Sequence, residues 1–320
     1  MNKPIGGYFE WEFPPLKQFL LHENAVFLNS GRHTLEYILR GLKNVTCLHI
    51  PYYICDAILR PLEHLEIPYS FYSINEQLEI VENIKLREND YLLYTNYFGI
   101  KDKYVEQIVK QYGDRIIVDN AQALYCPAYA KHQIYSPRKY IGMPDGGIAV
   151  TSVPNYTSCL PQGKAYERCK HLLKRVEMLP LEGYADFKEV SLQIATSPLS
   201  NMSEISKRIL TSVDFDNIRE IRRSNFMQLH AALKTTNRLS IPEMNSFECP
   251  MVYPYWTNDE KLRSRLIKQQ IFVATYWPNV FKWTNIGVIE NNFARNLLAI
   301  PCDQRYEKVD MEKIIKLINI

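Results

Sequence analysis

RIIVDNAQALY (residues 115–125) and SPRKYIGMPDGGIAVT (residues 136–151) set a carboxylate, an amide and a lysine between two strand-like runs. Ile116, Ile117 and Val118 read as a buried strand ending on Asp119, with Gln122 three residues further on. In open α/β sheets ligands sit outside the carboxyl ends of the strands, which is where this acid falls. Lys139 stands in a polar loop seven residues before Gly146 and Gly147, which open the apolar run Ile148 to Val150. A lysine beside a ligand crevice is a candidate Schiff-base former. Its amine attacks carbonyls once neutral, a state that burial or a cation such as Arg138 favours. Taken singly, a strand-end aspartate also serves as a turn cap and a loop lysine is also simply solvated. Their order and spacing together favour a site.

Working outward, DYLLYTNYFGIKDKYVEQIVKQYGDRIIVDN (90–120) is a β-α-β signature. Leu92, Leu93 and Tyr94 form a strand, Val105, Ile108, Val109 and Tyr112 one helical face, Gly113 a carboxyl-terminal cap, and Ile116 to Val118 the next strand. Such units build a parallel sheet with helices on its faces, an α/β fold. Asn96 and Tyr97, just past the first strand, are expected to face the same crevice. In AVFLNSGRHTLEYILRGLK (25–43), Leu35, Ile38, Leu39 and Leu42 repeat at helical spacing, so Ser30, Gly31, Arg32 and His33 fall at a helix start. Free N–H groups and the helix dipole make that turn a ready phosphate site, though a Ser-Gly before a helix is also an ordinary N-cap. From Asp216 onward a long helical pattern through Ile218, Ile221, Phe226, Leu229 and Leu233 leads into the strand-like MVYPYW, the helix DEKLRSRLIKQQ and a final helix from Asp310.

Composition narrows the class. The 320 residues are 46% hydrophobic and 23% charged, as in a globular chain with a large and a smaller domain. A net charge of +3 gives no reason to invoke nucleic acid or an acidic membrane surface. The start, MNKPIGGYFEWEFPP, has no apolar run that would serve as a secretory leader, and nothing approaches 18 apolar residues, so a cytoplasmic protein is expected. Cys47, Cys55, Cys126, Cys159, Cys169, Cys249 and Cys302 are odd in number and scattered, which argues against a disulfide framework. Cys169 and His171 are two apart with no second pair read beside them, and no metal site is expected. The basic residues Arg168, Lys170, Lys174 and Arg175 read as a solvated face of a helix spanning 164–176. The 22 tyrosines offer aromatic surface of the kind interfaces favour.

These residues carry a family resemblance. VDNAQAL resembles the Asp-x-x-Gln segment, and RKYIGMPDGGIAVT the lysine-to-Gly-Gly segment, of the DegT/DnrJ/EryC1/StrS family of pyridoxal-phosphate-dependent sugar aminotransferases. The tail segments QQIFVATYWPNV and LLAIPCDQRY are similar to that family's small domain. The resemblance implies fold type I: a large cofactor-binding domain over 1–214, with a mostly parallel sheet flanked by helices, and a smaller α+β domain over 215–320. It implies a homodimer that binds pyridoxal 5′-phosphate and moves an amino group to a keto-sugar, nucleotide-linked as in polysaccharide biosynthesis, with glutamate as donor. Asp119 would pair with the pyridine nitrogen, Gln122 would contact the ring hydroxyl, Lys139 would form the covalent link, and Ser30, Gly31, Arg32 and Ser136 would join the cofactor site. The sequence departs from the family in four places, one of them Arg32 and His33, which stand where small residues are usual. Ser136 lies three rather than five residues before the lysine. Cys55 stands where an aromatic stacks on the ring, with Tyr53 or Tyr52 as substitutes. Leu199 replaces an asparagine that reaches the neighbouring subunit. A sugar dehydratase is the nearest alternative in this fold, but those proteins carry histidine at the lysine position. The departures also fit a binding or regulatory protein that keeps the fold without turnover.

Overall fold

The computed structural model describes residues 10–16, 24–245 and 247–319. Residues 1–9 of the segment read for a leader lie outside them. Strands β1 (Ala25–Leu28), β2 (Cys47–Pro51), β3 (Tyr69–Tyr72), β4 (Asp90–Thr95), β5 (Ile116–Asn120), β6 (His132–Tyr135) and β7 (Gly147–Val150) form one sheet in the order β1-β7-β6-β5-β4-β2-β3. β7 runs antiparallel to both its neighbours, and the other pairings are parallel. A second sheet pairs β8 (Tyr253–Trp256) with β9 (Leu297–Ile300) antiparallel. The helices are α1 (Gly31–Leu42), α2 (Leu59–His64), α3 (Asp102–Tyr112), α4 (Lys170–Glu177), α5 (Tyr184–Thr196), α6 (Glu204–Thr211), α7 (Phe215–Leu233), α8 (Leu262–Lys268), α9 (Val280–Trp283), α10 (Ile289–Asn296) and α11 (Lys308–Ile318).

The central strands are apolar on both faces because both faces are covered. Leu93, Ile117, Ile134 and Ala149 point to a core shared with Leu35, Ile38 and Leu39 of α1 and Leu62 of α2. Their chain neighbours Leu92, Ile116 and Val118 point the other way, into a core with Val105 and Ile108 of α3. That second core continues through Phe226, Leu229 and Leu233 of α7, Tyr253 and Trp256 of β8, Phe293 of α10 and Met311 of α11. The carboxyl-terminal third therefore packs on the α3 side of the sheet. α7 begins at Phe215, and its Phe226, Leu229 and Leu233 belong to the same core as the α3 face of the sheet.

Local signals behave as their chemistry requires. Ser30 caps α1, Gly113 closes α3 at φ +60, and Asp214 caps α7 through the Asn217 N–H. The helix read over 164–176 is shorter and later, Lys170–Glu177. Its basic face is only partly solvated, because Lys170 and Lys174 both pair with Asp186 of α5, at 2.9 and 2.7 Å. Of the tyrosines, Tyr37, Tyr53, Tyr94, Tyr97, Tyr135 and Tyr253 are fully buried core and offer no interface surface, whereas Tyr69, Tyr166 and Tyr184 are exposed. The exposed apolar side chains include Leu173, Val176, Leu179, Leu181, Tyr184 and Leu192, on and between α4 and α5. Among the described residues no helix is long and apolar enough to cross a membrane.

Candidate active site

A cleft of about 310 Å3 opens at the carboxyl ends of the parallel strands. Each strand delivers its residues just where it ends. Ser30, Gly31 and Arg32 follow β1, Ile54 and Cys55 follow β2, Asp119 and Ala121 come from the end of β5, and Ser136, Arg138 and Lys139 follow β6. This is the crevice the α/β rule anticipates.

One end of the cleft is built for an anion. The α1 N-terminus turns the positive end of its dipole toward the cleft, where Ser30, Gly31 and Arg32 form the wall. An added Cβ on Gly31 would meet nothing nearer than Ser136 Cβ at 3.6 Å and Oγ at 3.8 Å, so the space beside this turn is kept open. Gly147 is different. Its Cβ would lie 2.3 Å from Ser30 C and 2.4 Å from Ser30 O, so only glycine lets β7 pass beneath the helix start. Burial lowers the pKa of Arg32, which Cys55 partly offsets, and burial takes Arg138 down to about 10 against the pull of Asp145. Two partly desolvated guanidinium groups beside a helix N-terminus suit a phosphate.

Ser30 itself is committed elsewhere. Burial pushes His33 down to about 4, so its ring is neutral at pH 7. Its Nε2 lies 3.0 Å from the Ser197 carbonyl, an acceptor, so the ring proton sits there and Nδ1 is left to accept the Ser30 hydroxyl at 2.8 Å. The serine therefore works as a helix cap whose proton points to His33. The Arg32 main-chain N–H, Ser136 and the guanidinium groups remain for an anion.

The other end carries the acid. Asp119 Oδ1 accepts the Ala121 N–H at 2.9 Å. Burial raises its pKa, and the charge of Lys139 and the Ala121 N–H oppose the rise. A desolvated carboxyl facing a lysine is suited to receive a cationic ring nitrogen. The shortened serine-to-lysine spacing is absorbed by one tight turn, Pro137–Lys139, in which the Lys139 N–H donates to Ser136 O at 3.1 Å. Both side chains consequently line the same cleft.

Five expected contributors are absent from the cleft wall. Tyr53 is fully buried against Tyr97, Trp277 and Phe293, because the chain leaves strand geometry at Pro51 and turns this ring into the core. Gln122 is also buried, with Oε1 accepting the Phe98 N–H at 2.9 Å and Nε2 left without a partner. Asn96 and Tyr97 are fully enclosed: Asn96 donates to Asp102 and Asn120, and the Tyr97 hydroxyl donates to the Tyr53 carbonyl. Tyr52 stacks on Phe71. Cys55 does line the cleft, and burial raises its thiol pKa. Leu199 is buried under α1.

Sequence reading missed one wall. Phe187, Ser191 and Ile194 of α5 close the cleft from the side. Their i, i+4, i+7 spacing marks one helical face, and that was the available signal. It also passed over Cys47 and His49, two apart like Cys169 and His171. With Asp90 they offer ligand atoms within 4.8 Å of one another at the opposite, amino ends of the strands. Asp90 is already held there by Thr46 Oγ1 at 2.8 Å and by the Arg87 N–H at 3.0 Å.

No protein-family model matches the chain, and no curated protein does. Solved structures do. A putative sugar aminotransferase, Spr1654 from Streptococcus pneumoniae, superposes with a TM-score of 0.64 at 17% identity, covering 91% of this chain and 84% of that one. The aminotransferase TlmJ from Streptoalloteichus hindustanus gives 0.63 at 14%, covering 92% and 85%. A DegT DnrJ EryC1 StrS aminotransferase from Brucella abortus gives 0.60 at 15%, covering 93% and 85%. Likeness at this identity establishes the fold, which is that of these aminotransferases.

Proposed function

We propose that this chain is a pyridoxal-phosphate-dependent aminotransferase of the DegT/DnrJ/EryC1/StrS type, acting on a nucleotide-linked keto-sugar with glutamate as amine donor. The observation that carries the reading is the joint presence in one cleft of an anion-binding helix start, a desolvated carboxyl and a lysine. The residues fit the cofactor. The Arg32 main-chain N–H, with Ser136 and the Arg32 guanidinium, would hold its phosphate, and Asp119 its ring nitrogen. The Gln122 Nε2 is buried without a partner one residue from the cleft-lining Ala121, and it would serve the ring hydroxyl only if its side chain turned from the Phe98 N–H toward the cleft. A buried donor left unsatisfied costs about 1–3 kcal/mol, so a ligand acceptor there stabilises the site.

When bound, pyridoxal phosphate supplies an electron sink that makes a neighbouring carbon acidic. The chain does the rest. Lys139 Nζ would hold the cofactor covalently, and its amine, lining the cleft beside Asp119, would take up and return a proton at the reacting carbon. Asp119, ionised once a cationic nitrogen is bound beside it, would favour the protonated form of that nitrogen. Arg138 adds positive charge at the anion end, and Phe187 and Ile194 exclude water from the side. The exposed apolar residues of α4 and α5 support a homodimer, since a patch of this kind on a soluble chain is normally covered. Light scattering should then give twice the chain mass of 37.6 kDa.

The test is conversion of glutamate to 2-oxoglutarate that depends on pyridoxal phosphate and on a nucleotide-linked keto-sugar. Cofactor binding with no transfer from any amine donor would favour the non-catalytic reading instead, for which the absence of a tyrosine ring from the β2 side of the cleft is the supporting feature.

A further inference from the structure

Arg222 is an anomaly in the core. It sits on α7, only 2% exposed, and among the described residues no carboxylate lies within ion-pair distance of it. A buried cation without an ionic partner is costly unless its N–H groups are fully used. They are used on one small group of targets. Nη1 donates to Met251 O at 2.9 Å, Nη2 to Tyr140 O at 3.2 Å and Nε to Gln304 Oε1 at 2.8 Å. Gln304 Nε2 in turn donates to the same Tyr140 carbonyl at 2.8 Å. The guanidinium also lies over the Tyr140 ring, 4.6 Å from its centre.

Tyr140 is the residue after Lys139, and its other end is tied as firmly. Its hydroxyl lies 2.7 Å from Gln122 O and 3.2 Å from Cys249 O. Gln122 Oε1 accepts the Phe98 N–H, and Phe98 O accepts the Met251 N–H at 2.8 Å. Gly99, at φ +71, is where these segments meet. A Cβ there would lie 2.9 Å from Gln122 O, 3.0 Å from Cys249 O and 3.3 Å from the Tyr140 hydroxyl. The lysine turn, the Asp119–Gln122 turn and the 249–251 segment are thus one hydrogen-bonded knot, and Arg222 reaches into it from the carboxyl-terminal third. We propose that Arg222 is a positioning residue that clamps Tyr140 so that Lys139 is held in register with the Asp119–Gln122 turn. This rests on the reading of Lys139 as the cofactor-linking lysine. A planar fork serving two carbonyls and an amide at fixed angles is work that lysine does not do.

The test separates positioning from general loosening by using two ligands on the full-length chain. Pyridoxine 5′-phosphate has the phosphate but no aldehyde and reports the anion end, while borohydride reduction with pyridoxal 5′-phosphate, located by mass spectrometry, reports the reach of Lys139. In Arg222→Met, with circular dichroism unchanged, the Lys139 adduct should fall about tenfold while pyridoxine phosphate affinity stays within about threefold. Arg222→Lys should not restore the adduct. Tyr140→Phe keeps the ring under the guanidinium but loses the hydroxyl, and Gln304→Leu removes a half-buried partner. Each should lower the adduct about threefold, and they carry the same comparison if Arg222→Met does not fold. Unchanged adduct in these variants, or adduct and phosphate affinity falling together, overturns the proposal. Wild-type protein giving no adduct on Lys139 overturns the functional reading and this proposal with it.

Discussion

Gly147→Ala places a methyl group where main chain already is. The new Cβ would lie 2.3 Å from Ser30 C, 2.4 Å from Ser30 O and 2.7 Å from Gly31 N. Ordinary carbon contacts need about 3.5 Å, so the α1 start must move by roughly 1 Å. Overpacking costs about 1–3 kcal/mol, and the upper end applies because the obstacle is main chain rather than a side-chain tip. With an unfolding entropy of about 2.1 cal/mol/K per residue, 320 residues give about 1.5 °C per kcal/mol, so the melting midpoint should drop by about 4–5 °C. The displacement also moves the anion-binding N–H of Arg32. A hydrogen bond stretched from about 2.9 to about 4 Å is lost. At about 1.5–3 kcal/mol per bond to a charged group, affinity for pyridoxine 5′-phosphate should weaken roughly 10- to 100-fold. Gly142→Ala is the control, since its Cβ would meet only Leu172 Cδ2, at 3.4 Å, and it should stay within about 0.5 kcal/mol of the natural chain. Thermal melts at one scan rate and ligand titrations of both variants make the comparison. If Gly147→Ala melts and binds like Gly142→Ala, the close passage of β7 under the helix is wrong.

Asp119→Asn should abolish amino transfer yet raise the stability of the cofactor-free protein at pH 7. Burial raises the carboxyl's pKa in the fold, so its ionisation penalises folding as pH climbs above the unfolded value of about 3.9. The melting advantage should vanish toward pH 4, and a variant that melts lower at pH 7 or keeps turnover contradicts the assignment. Glu248 is pushed up to about 7 by burial and by the neighbouring Asp102, so it should cost stability as pH rises from about 4.5 through 7. Glu248→Gln should flatten the fall of the melting midpoint between pH 5 and 8, and an unchanged slope would place the titration on another group.

The sequence made the repeating parts of the fold legible. β4, α3 and β5 were visible because strand period, helical period and a glycine cap agree over residues 90–120, and α1 because Leu35, Ile38 and Leu39 share a face. Asp119, Lys139, Ser136 and the α1 start line one cleft because a strand end and a helix start fix where a side chain emerges. What failed lay beyond regular structure. Tyr53 follows the last residues of β2, where alternation no longer says which way a ring points, and it turned inward. The pairing of β1 with β7 joins residues more than a hundred apart, and no local pattern carries that. Arg222 looked like any charge on a long helix, because its targets are main-chain carbonyls, which leave no mark in a sequence.

The central claim is that Lys139 forms the covalent link to pyridoxal phosphate. Purified full-length protein incubated with pyridoxal 5′-phosphate, reduced with borohydride and digested should show the pyridoxyl mass on the peptide containing Lys139, and Lys139→Ala should show none. An adduct at any other lysine, or equal labelling of Lys139→Ala, would contradict the account.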